Sequence, residues 1–372
     1  MLVDFNLKEK IKELKKNDPS AMLGASYFDL GVAFWMLSPD EGNYEPNFLA
    51  KRYLSKDFDG AKKDLERLKD IAVKKLKEYK LEGLFYDVEM PLIEVLADME
   101  LRGIKLDILF LKKLDGELEK ELQKLVKEIY KEAGEPFNIN SPKQVGEMLF
   151  KKLKIDMQGV KKTRGGAVST DIDTLNTIQD RHEIVKHLLL YRELFKLQST
   201  YVKPLGELAD KNNRVHTTYV QTGAATGRLS SQHPNLQNIP ASASSLSLRA
   251  TAGKPARGDW AKRIRSAFIA EKKFKLAAFD YSQMELRILA SLSGDPKMIE
   301  AFNNDIDIHK LTAANVFHVP LEKVTPDMRR LAKTLNFGVI YGMGANAFAK
   351  TSGLSFAEAK KFIEKYFNNF SK

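Results

Sequence analysis

Lys275-Leu276-Ala277-Ala278-Phe279-Asp280 runs directly into Tyr281-Ser282-Gln283-Met284-Glu285-Leu286-Arg287-Ile288-Leu289-Ala290-Ser291-Leu292, and the fold turns on the switch of pattern between them. The first run is short, largely apolar, of strand length, and ends at a carboxylate. The second places Leu286, Leu289 and Leu292 at helical spacing. This predicts a strand over 275–280, with Asp280 at its C-terminal end, and a helix over 282–292. The end of a buried strand is where a rigid scaffold offers a carboxylate to a hard divalent cation, and magnesium bound to substrate phosphates needs only one or two such groups. Glu285 falls one helical turn beyond and would help shape the same cavity.

Downstream, Arg329, Lys333, Phe337 and Tyr341 each follow the last by four residues, so on a helix they form one slowly turning stripe, two cations first and two rings after. That order suits a nucleotide. Arg329 can fork onto a phosphate, Lys333 can place a compact charge on another, and the rings offer a base a face to stack on. Between the two segments, Asp305-Ile306-Asp307-Ile308-His309 has two readings. As a strand it would put both aspartates and His309 on one face, a metal cluster; with His309 at a helix start, the ring would donate to a phosphate. Gly342-Met343-Gly344-Ala345-Asn346-Ala347 approximates a dinucleotide-binding fingerprint, but it follows a helical pattern and no strand–helix–strand unit surrounds it.

Upstream, Thr222-Gly223-Ala224-Ala225-Thr226-Gly227-Arg228-Leu229-Ser230-Ser231, continuing through His233-Pro234-Asn235-Leu236-Gln237-Asn238-Ile239-Pro240, is dense in hydrogen-bonding groups and glycine around one arginine. A surface laid along a nucleic-acid backbone or minor groove wants that chemistry, and so does any polar loop. From Asp107 to Ala133, Leu111, Leu114, Leu118, Leu122, Leu125 and Ile129 recur at threes and fours, predicting a long amphipathic helix. Ser141-Pro142-Lys143-Gln144 reads as a helix start with a capping box closed by Gln144. Lys161-Lys162-Thr163-Arg164-Gly165-Gly166 is a cationic turn suited to phosphate contact or to solvent, and a further cap is expected at Ser169 or Thr170. Residues 241–257, rich in Ser, Ala and Gly, read as a flexible insertion. A basic amphipathic helix is expected from Ala61.

The chain has 372 residues, 43% of them apolar, enough for a large core and two or three domains. A formal charge of +11 suits a polyanionic partner. Cysteine is absent, which excludes disulfides, thiolate metal sites and cysteine nucleophiles. No stretch approaches the length of a membrane span, and the charged N-terminus is no secretory signal, so a cytoplasmic location is expected.

Taken in order, the three chemistry-bearing segments resemble family A DNA polymerases, the bacterial DNA polymerase I group. Thr226–Ser231 with Pro234–Pro240 looks like that family's primer-template contact segment, Asp280–Arg287 like its motif A, and Arg329–Gly342 like its motif B. Glu89-Met90-Pro91-Leu92 resembles the opening of the polymerase region, Asp40-Glu41-Gly42-Asn43-Tyr44 the tail of the proofreading-type domain, and the turn at Lys161 the thumb tip. The resemblance implies an α+β right hand of thumb, partial palm on an antiparallel sheet, and helical fingers. It divides the chain into an inactive exonuclease-like remnant (1–82), palm entry and thumb (83–196), palm part with contact segment and motif A (197–296), and fingers (297–372). It implies DNA-directed DNA synthesis with two magnesium ions, held through Asp280 and the Tyr281 carbonyl, with Asp280 and Lys333 as the catalytic residues. Gln283, Glu285, His309, Arg329, Lys333, Phe337 and Tyr341 would bind the deoxynucleoside triphosphate, Glu285 as the gate against a ribose 2′-hydroxyl. Arg228, Asn235, Gln237, Asn238, Lys161, Lys162 and Thr163 would contact primer-template DNA.

The resemblance also sets expectations by what these residues lack. The family's second catalytic carboxylates belong to a His-Asp-Glu segment, and no such tripeptide occurs here. Half the metal site is therefore expected to be missing, the polypeptide to turn over little by itself, and a second chain to be the means of completing it. An exposed core and unpaired sheet edge are expected with it. A different class of function, a DNA-binding protein without synthesis, is the alternative. A nucleotide-binding regulator is a third, and it should bind nucleotide without DNA.

Overall fold

Asp107 starts the longest helix, Ile108–Ala133, by accepting the Phe110 N–H at 2.9 Å, and Gly134 ends it with φ +78°, a conformation that L side chains rarely adopt. The six apolar residues predicted for one face are all buried. They pack on the Glu183–Leu197 helix, which buries Ile184, Val185, Leu188, Leu194 and Leu197 in the same core. Each such side chain contributes about 1.5–3 kcal/mol by leaving water. At the edge of this seam the buried Gln198 amide donates to Asp115 at 2.8 Å and Glu119 at 3.1 Å, so its burial is compensated.

This computed structural model describes residues 2–18, 20, 27–161, 165–166, 168–240 and 258–371. They form two units, Met1–Leu276 and Ala277–Lys372. Lys162, Thr163, Arg164 and the expected insertion at 241–257 lie outside the described residues. Among the described residues no helix is long and apolar enough to cross a membrane.

Among its described residues the first unit holds three two-stranded sheets: β1 (Leu2–Asp4) parallel to β2 (Tyr27–Asp29), β3 (Ile104–Lys105) antiparallel to β4 (Arg214–Val215), and β5 (Thr218–Val220) antiparallel to β6 (Ser230–Gln232). Gly103 precedes β3 with φ +59°, where a Cβ would sit 2.6 Å from the Val215 carbonyl, so the strand approach requires glycine. Buried Asp29 caps the Leu30–Leu37 helix at Val32 and accepts the Leu7 N–H at 2.8 Å; burial pushes its carboxyl up despite these bonds. Buried Glu100 accepts Lys8 at 2.6 Å, Lys12 at 2.7 Å and the Tyr219 N–H at 2.8 Å, tying the Leu7–Asn17 helix to β5. Burial opposes its ionisation, but the two ammonium groups and that N–H outweigh it and hold the carboxyl below its usual range. The helix expected from Ala61 spans Lys62–Glu78 and buries Leu68, Ala72 and Leu76.

Two caps differ in detail. Ser141 accepts the Gln144 N–H as expected, but Gln144 Oε1 takes the Asn138 N–H at 2.7 Å, because the Ser141 N–H already donates to the Asn138 carbonyl. The helix expected at Ser169 or Thr170 starts at Asp171, whose carboxylate accepts the Thr174 N–H at 2.7 Å, while Ser169 Oγ accepts the Asp171 N–H.

The larger correction concerns residues 275–280. They form no strand: no other strand among the described residues runs beside them, so their backbone has no ladder and their apolar side chains face solvent, Phe279 being 96% exposed. The apolar pattern was legible, but a strand exists only where a neighbour pairs with it. The helix after it, Met284–Ser293, forms as expected, with Leu286 buried.

The second unit is helical throughout its regular structure: Met284–Ser293, Pro296–Asn303, Ile308–Phe317, Pro326–Ile340, Ala345–Ser352 and Phe356–Asn369, with a single short 3₁₀ turn. Leu286, Met298, Ile308, Val316, Leu335, Phe348 and Tyr366 form its core. Side-chain caps at Asp295, Asp307, Thr325 and Ser355 fix four of these helix starts.

Candidate functional site

Thr325 caps the Pro326–Ile340 helix through the Met328 N–H, and Pro326 occupies its first turn without losing a hydrogen bond. Arg329, Lys333 and Phe337 then follow at one-turn intervals, and Tyr341 sits at the C-cap. Arg329 is half-buried, and its Nε donates to Asp307 Oδ2 at 2.7 Å, which leaves the two terminal guanidinium nitrogens outside this pair. Asp307 has a second task. Its Oδ1 accepts the N–H groups of His309 at 2.9 Å and Lys310 at 3.1 Å, capping the Ile308–Phe317 helix. Burial would raise the Asp307 carboxyl, but Arg329 and these two N–H groups win and hold it below the usual carboxylate range.

The strand reading of 305–309 is therefore wrong. His309 is the second residue of a helix, Asp305 is in a turn with φ +52°, and no group of three His, Cys, Asp or Glu among the described residues is placed to hold a metal ion. Asp307 went to a helix cap because an ionised carboxylate at a helix N-terminus satisfies donors that are otherwise orphaned. His309 is 3% exposed and its ring lies 5.6 Å from that of Phe337. Burial pushes its pKa down to about 4, Asp307 pulling the other way and Arg329 and Lys333 adding to the fall, so the ring is neutral near pH 7.

The far end of the stripe is fixed by packing. A Cβ on Gly338 would stand 2.7 Å from Met343 Sδ, and the Met343 N–H donates to the Gly338 carbonyl at 2.7 Å, so the turn after the helix packs closely over this glycine. The exposed Tyr341 hydroxyl donates to Glu285 Oε1 at 3.0 Å. The Met284–Ser293 helix and the stripe's last ring thus meet. Gln283, before that helix, has φ +53° and a buried Oε1 that meets no hydrogen-bond donor among the described residues. Asp280 and Tyr281 are exposed, Tyr281 by 82%.

In the first unit, the contact segment is built by its own polar groups. Asn235 Oδ1 accepts the N–H groups of Gln237 and Asn238, Gln237 Nε2 donates to the Leu229 carbonyl at 3.1 Å, and Ser231 Oγ accepts the Leu236 N–H. Asn235 and Gln237 therefore shape the loop as well as face solvent, while Arg228 and Asn238 are exposed. Lys161 is exposed and its carbonyl accepts the Ser169 N–H. Sequence reasoning missed Asp307 as the partner of Arg329, and it missed Thr312 and Asn336, both fully buried beside His309. The available signal was a lone asparagine inside an otherwise apolar helix face.

The sequence profile of DNA polymerase family A matches residues 109–372. The chain is 44% identical over 338 residues to the thermostable DNA polymerase I of Thermus caldophilus, covering 90% of this chain and 39% of that protein. It is 40% identical over 377 residues to DNA polymerase I of Caldicellulosiruptor bescii, covering 99% of this chain and 42% of the other, and 42% identical over 308 residues to that of Bacillus subtilis, covering 82% and 33%. Among solved structures it is similar to the POL domain of Pol1 from M. smegmatis in complex with DNA primer-template and dNTP, with a TM-score of 0.83 and 33% identity over 99% of this chain and 63% of that one. The chain spans about two fifths of the length of these curated relatives from Thermus and Caldicellulosiruptor.

Proposed function

The chain belongs to DNA polymerase family A, and from that premise we propose that it is a DNA-directed DNA polymerase polypeptide, adding deoxynucleotides to a primer 3′-hydroxyl under template direction. The observation that carries the reading is the stripe of Arg329, Lys333, Phe337 and Tyr341, with Arg329 oriented by Asp307 and Tyr341 held on Glu285. The primer-template and dNTP named with the mycobacterial structure are the proposed partners. Arg329, Lys333 and the neutral His309 ring hold the triphosphate, and Phe337 and Tyr341 border the nascent base pair. Glu285, fixed by the tyrosine hydroxyl, stands where a ribose 2′-hydroxyl would intrude. Arg228, Asn235, Gln237, Asn238 and the Lys161–Thr163 turn follow the duplex backbone.

In the reaction the primer 3′-oxygen forms a bond to the α-phosphorus, loses its proton, and the bond to pyrophosphate breaks. Two magnesium ions, when bound, would stabilise the attacking and leaving oxygens. Asp280 and the Tyr281 carbonyl suit that role as hard oxygen donors. Lys333 and Arg329 offset charge on the departing pyrophosphate. A second chain that supplies further carboxylates is part of the proposal, and without it these residues are expected to turn over little. The exposed Phe279, Met284, Ile288 and Leu292 are the surface such a chain would cover. A cytoplasmic location goes with this reading.

A second reading, DNA binding without synthesis, is favoured by one observation: Asp280 lies in an exposed segment outside any helix or strand. Primer extension with magnesium and four deoxynucleotides, beside a DNA-binding titration, separates the two. Synthesis that disappears in Asp280→Ala supports the first reading. Binding without extension, unchanged by adding a C-terminal piece of a related polymerase, supports the second.

A further inference from the structure

Four polar side chains are buried in the Ala277–Lys372 unit: Asp295, His309, Thr312 and Asn336. Asp295 caps the Pro296–Asn303 helix and is thereby explained. The other three are joined through Asn336. Asn336, with no exposed surface, faces His309 Nδ1 through Nδ2 at 2.8 Å and Thr312 Oγ1 through Oδ1 at 3.1 Å. Asparagine is a poor helix former and its amide is costly to bury, so an apolar residue would serve packing better at this position.

Counting protons shows what the amide does. Thr312 has one hydroxyl proton and two acceptors near it, the Ile308 carbonyl at 2.8 Å and Asn336 Oδ1 at 3.1 Å. Ile308 opens its helix, so its carbonyl already accepts the Thr312 N–H of the helical ladder. Buried Asn336 Oδ1 depends on the hydroxyl. When the proton goes there, the amide is locked with Nδ2 toward the ring, and Nδ1 must accept. A neutral imidazole has one proton, which is then on Nε2, the ring nitrogen outside this network. The reversed amide would put the proton on Nδ1 and present a lone pair at Nε2, which repels phosphate oxygens.

We propose that Asn336, oriented by Thr312, is a positioning residue that holds the His309 imidazole in the tautomer with its proton on Nε2, so that the ring donates to a phosphate oxygen of the incoming nucleotide. The choice of ligand rests on the function proposed above; the tautomer rests on the buried trio alone. Other contacts support it. Asp307 fixes the His309 backbone through its N–H, Phe337 lies against the ring, and Arg329 and Lys333 disfavour a second ring proton. The ring therefore adds a directed donor without adding charge, while Arg329 and Lys333 already supply it.

The test observes the full 372-residue chain, labelled with ¹⁵N at histidine, by long-range proton–nitrogen correlation between pH 6 and 8, with His309→Gln to assign the signal. The expected result is an unprotonated Nδ1 and a protonated Nε2. Asn336→Asp, nearly the same shape, offers Nδ1 only acceptors and should move the proton to Nδ1, weakening dATP binding about tenfold, the worth of one hydrogen bond. Thr312→Val should give a mixture of tautomers, and Thr312→Ser should restore the original. A proton on Nδ1 in the unaltered chain, or a tautomer indifferent to Asn336→Asp, overturns the proposal. Adding dATP should shift the Nε2 signal; the expected tautomer with no such shift would confirm the positioning device and sink the nucleotide reading instead.

Discussion

The two ends of the proposed nucleotide site are built differently. Around Arg329 and His309 the polar groups answer one another: Asp307 serves a guanidinium and a helix cap, and Asn336 serves a ring and a hydroxyl, much of it away from water. Around Asp280 there is neither strand nor cover, and Phe279 and Tyr281 project into solvent. The proposed binding end is held together within one helical unit, whereas no strand among the described residues pairs with the segment that ends at Asp280. Nucleotide recognition and turnover should therefore separate in this polypeptide.

The largest effect should come from the weaker end. Whatever extension the chain shows, alone or after addition of a C-terminal piece of a related polymerase, should fall on the order of 10³-fold in Asp280→Ala, since a metal contact is worth several kcal/mol in the transition state. Equal rates in both chains would erase the contrast. Stability should follow the opposite map. Leu118→Ala, in the seam between the Ile108–Ala133 and Glu183–Leu197 helices, should cost about 2–5 kcal/mol in chemical denaturation, while Phe279→Ser should cost under about 0.5 kcal/mol and reduce aggregation.

Acid should loosen the binding end. Unfolded histidine takes its proton near 6.5, whereas His309 in the fold is pushed down to about 4 by burial and the neighbouring cations. The unfolded state thus binds more protons between those values. Its contribution to stability is whole above 6.5, declines by at most roughly 1.4 kcal/mol per pH unit as pH falls through the window, and levels off below about 4. Urea midpoints from pH 8 to 4 should flatten in His309→Gln. Arg329→Lys keeps the charge but loses the fork held by Asp307, and should weaken dNTP binding by about tenfold.

What the sequence disclosed follows from the range of each interaction. The Leu111–Ile129 periodicity states a helix and its buried face because a helix closes its own hydrogen bonds, and both came out as read. Residues 275–280 carry a strand's apolar pattern, but a strand closes its hydrogen bonds on another chain segment, so the pattern alone did not decide the outcome. The spacing of Arg329, Lys333 and Phe337 gave their common face. It could not give Asp307 as the partner of Arg329, or Asn336 as that of His309, because both pairs join different helices. The choice between strand and helix at His309 was settled by the cap at Asp307, a side-chain contact that the alternating Asp-Ile pattern concealed.

The most direct measurement is a fluorescence titration of the chain, bound to primer-template, with dNTPs that match or mismatch the templating base, repeated in Lys333→Ala. The account predicts that the matched nucleotide binds more tightly than any mismatch and that the substitution weakens it by about tenfold or more, whether or not extension occurs. Binding that ignores the templating base, or that Lys333→Ala leaves unchanged, would contradict it.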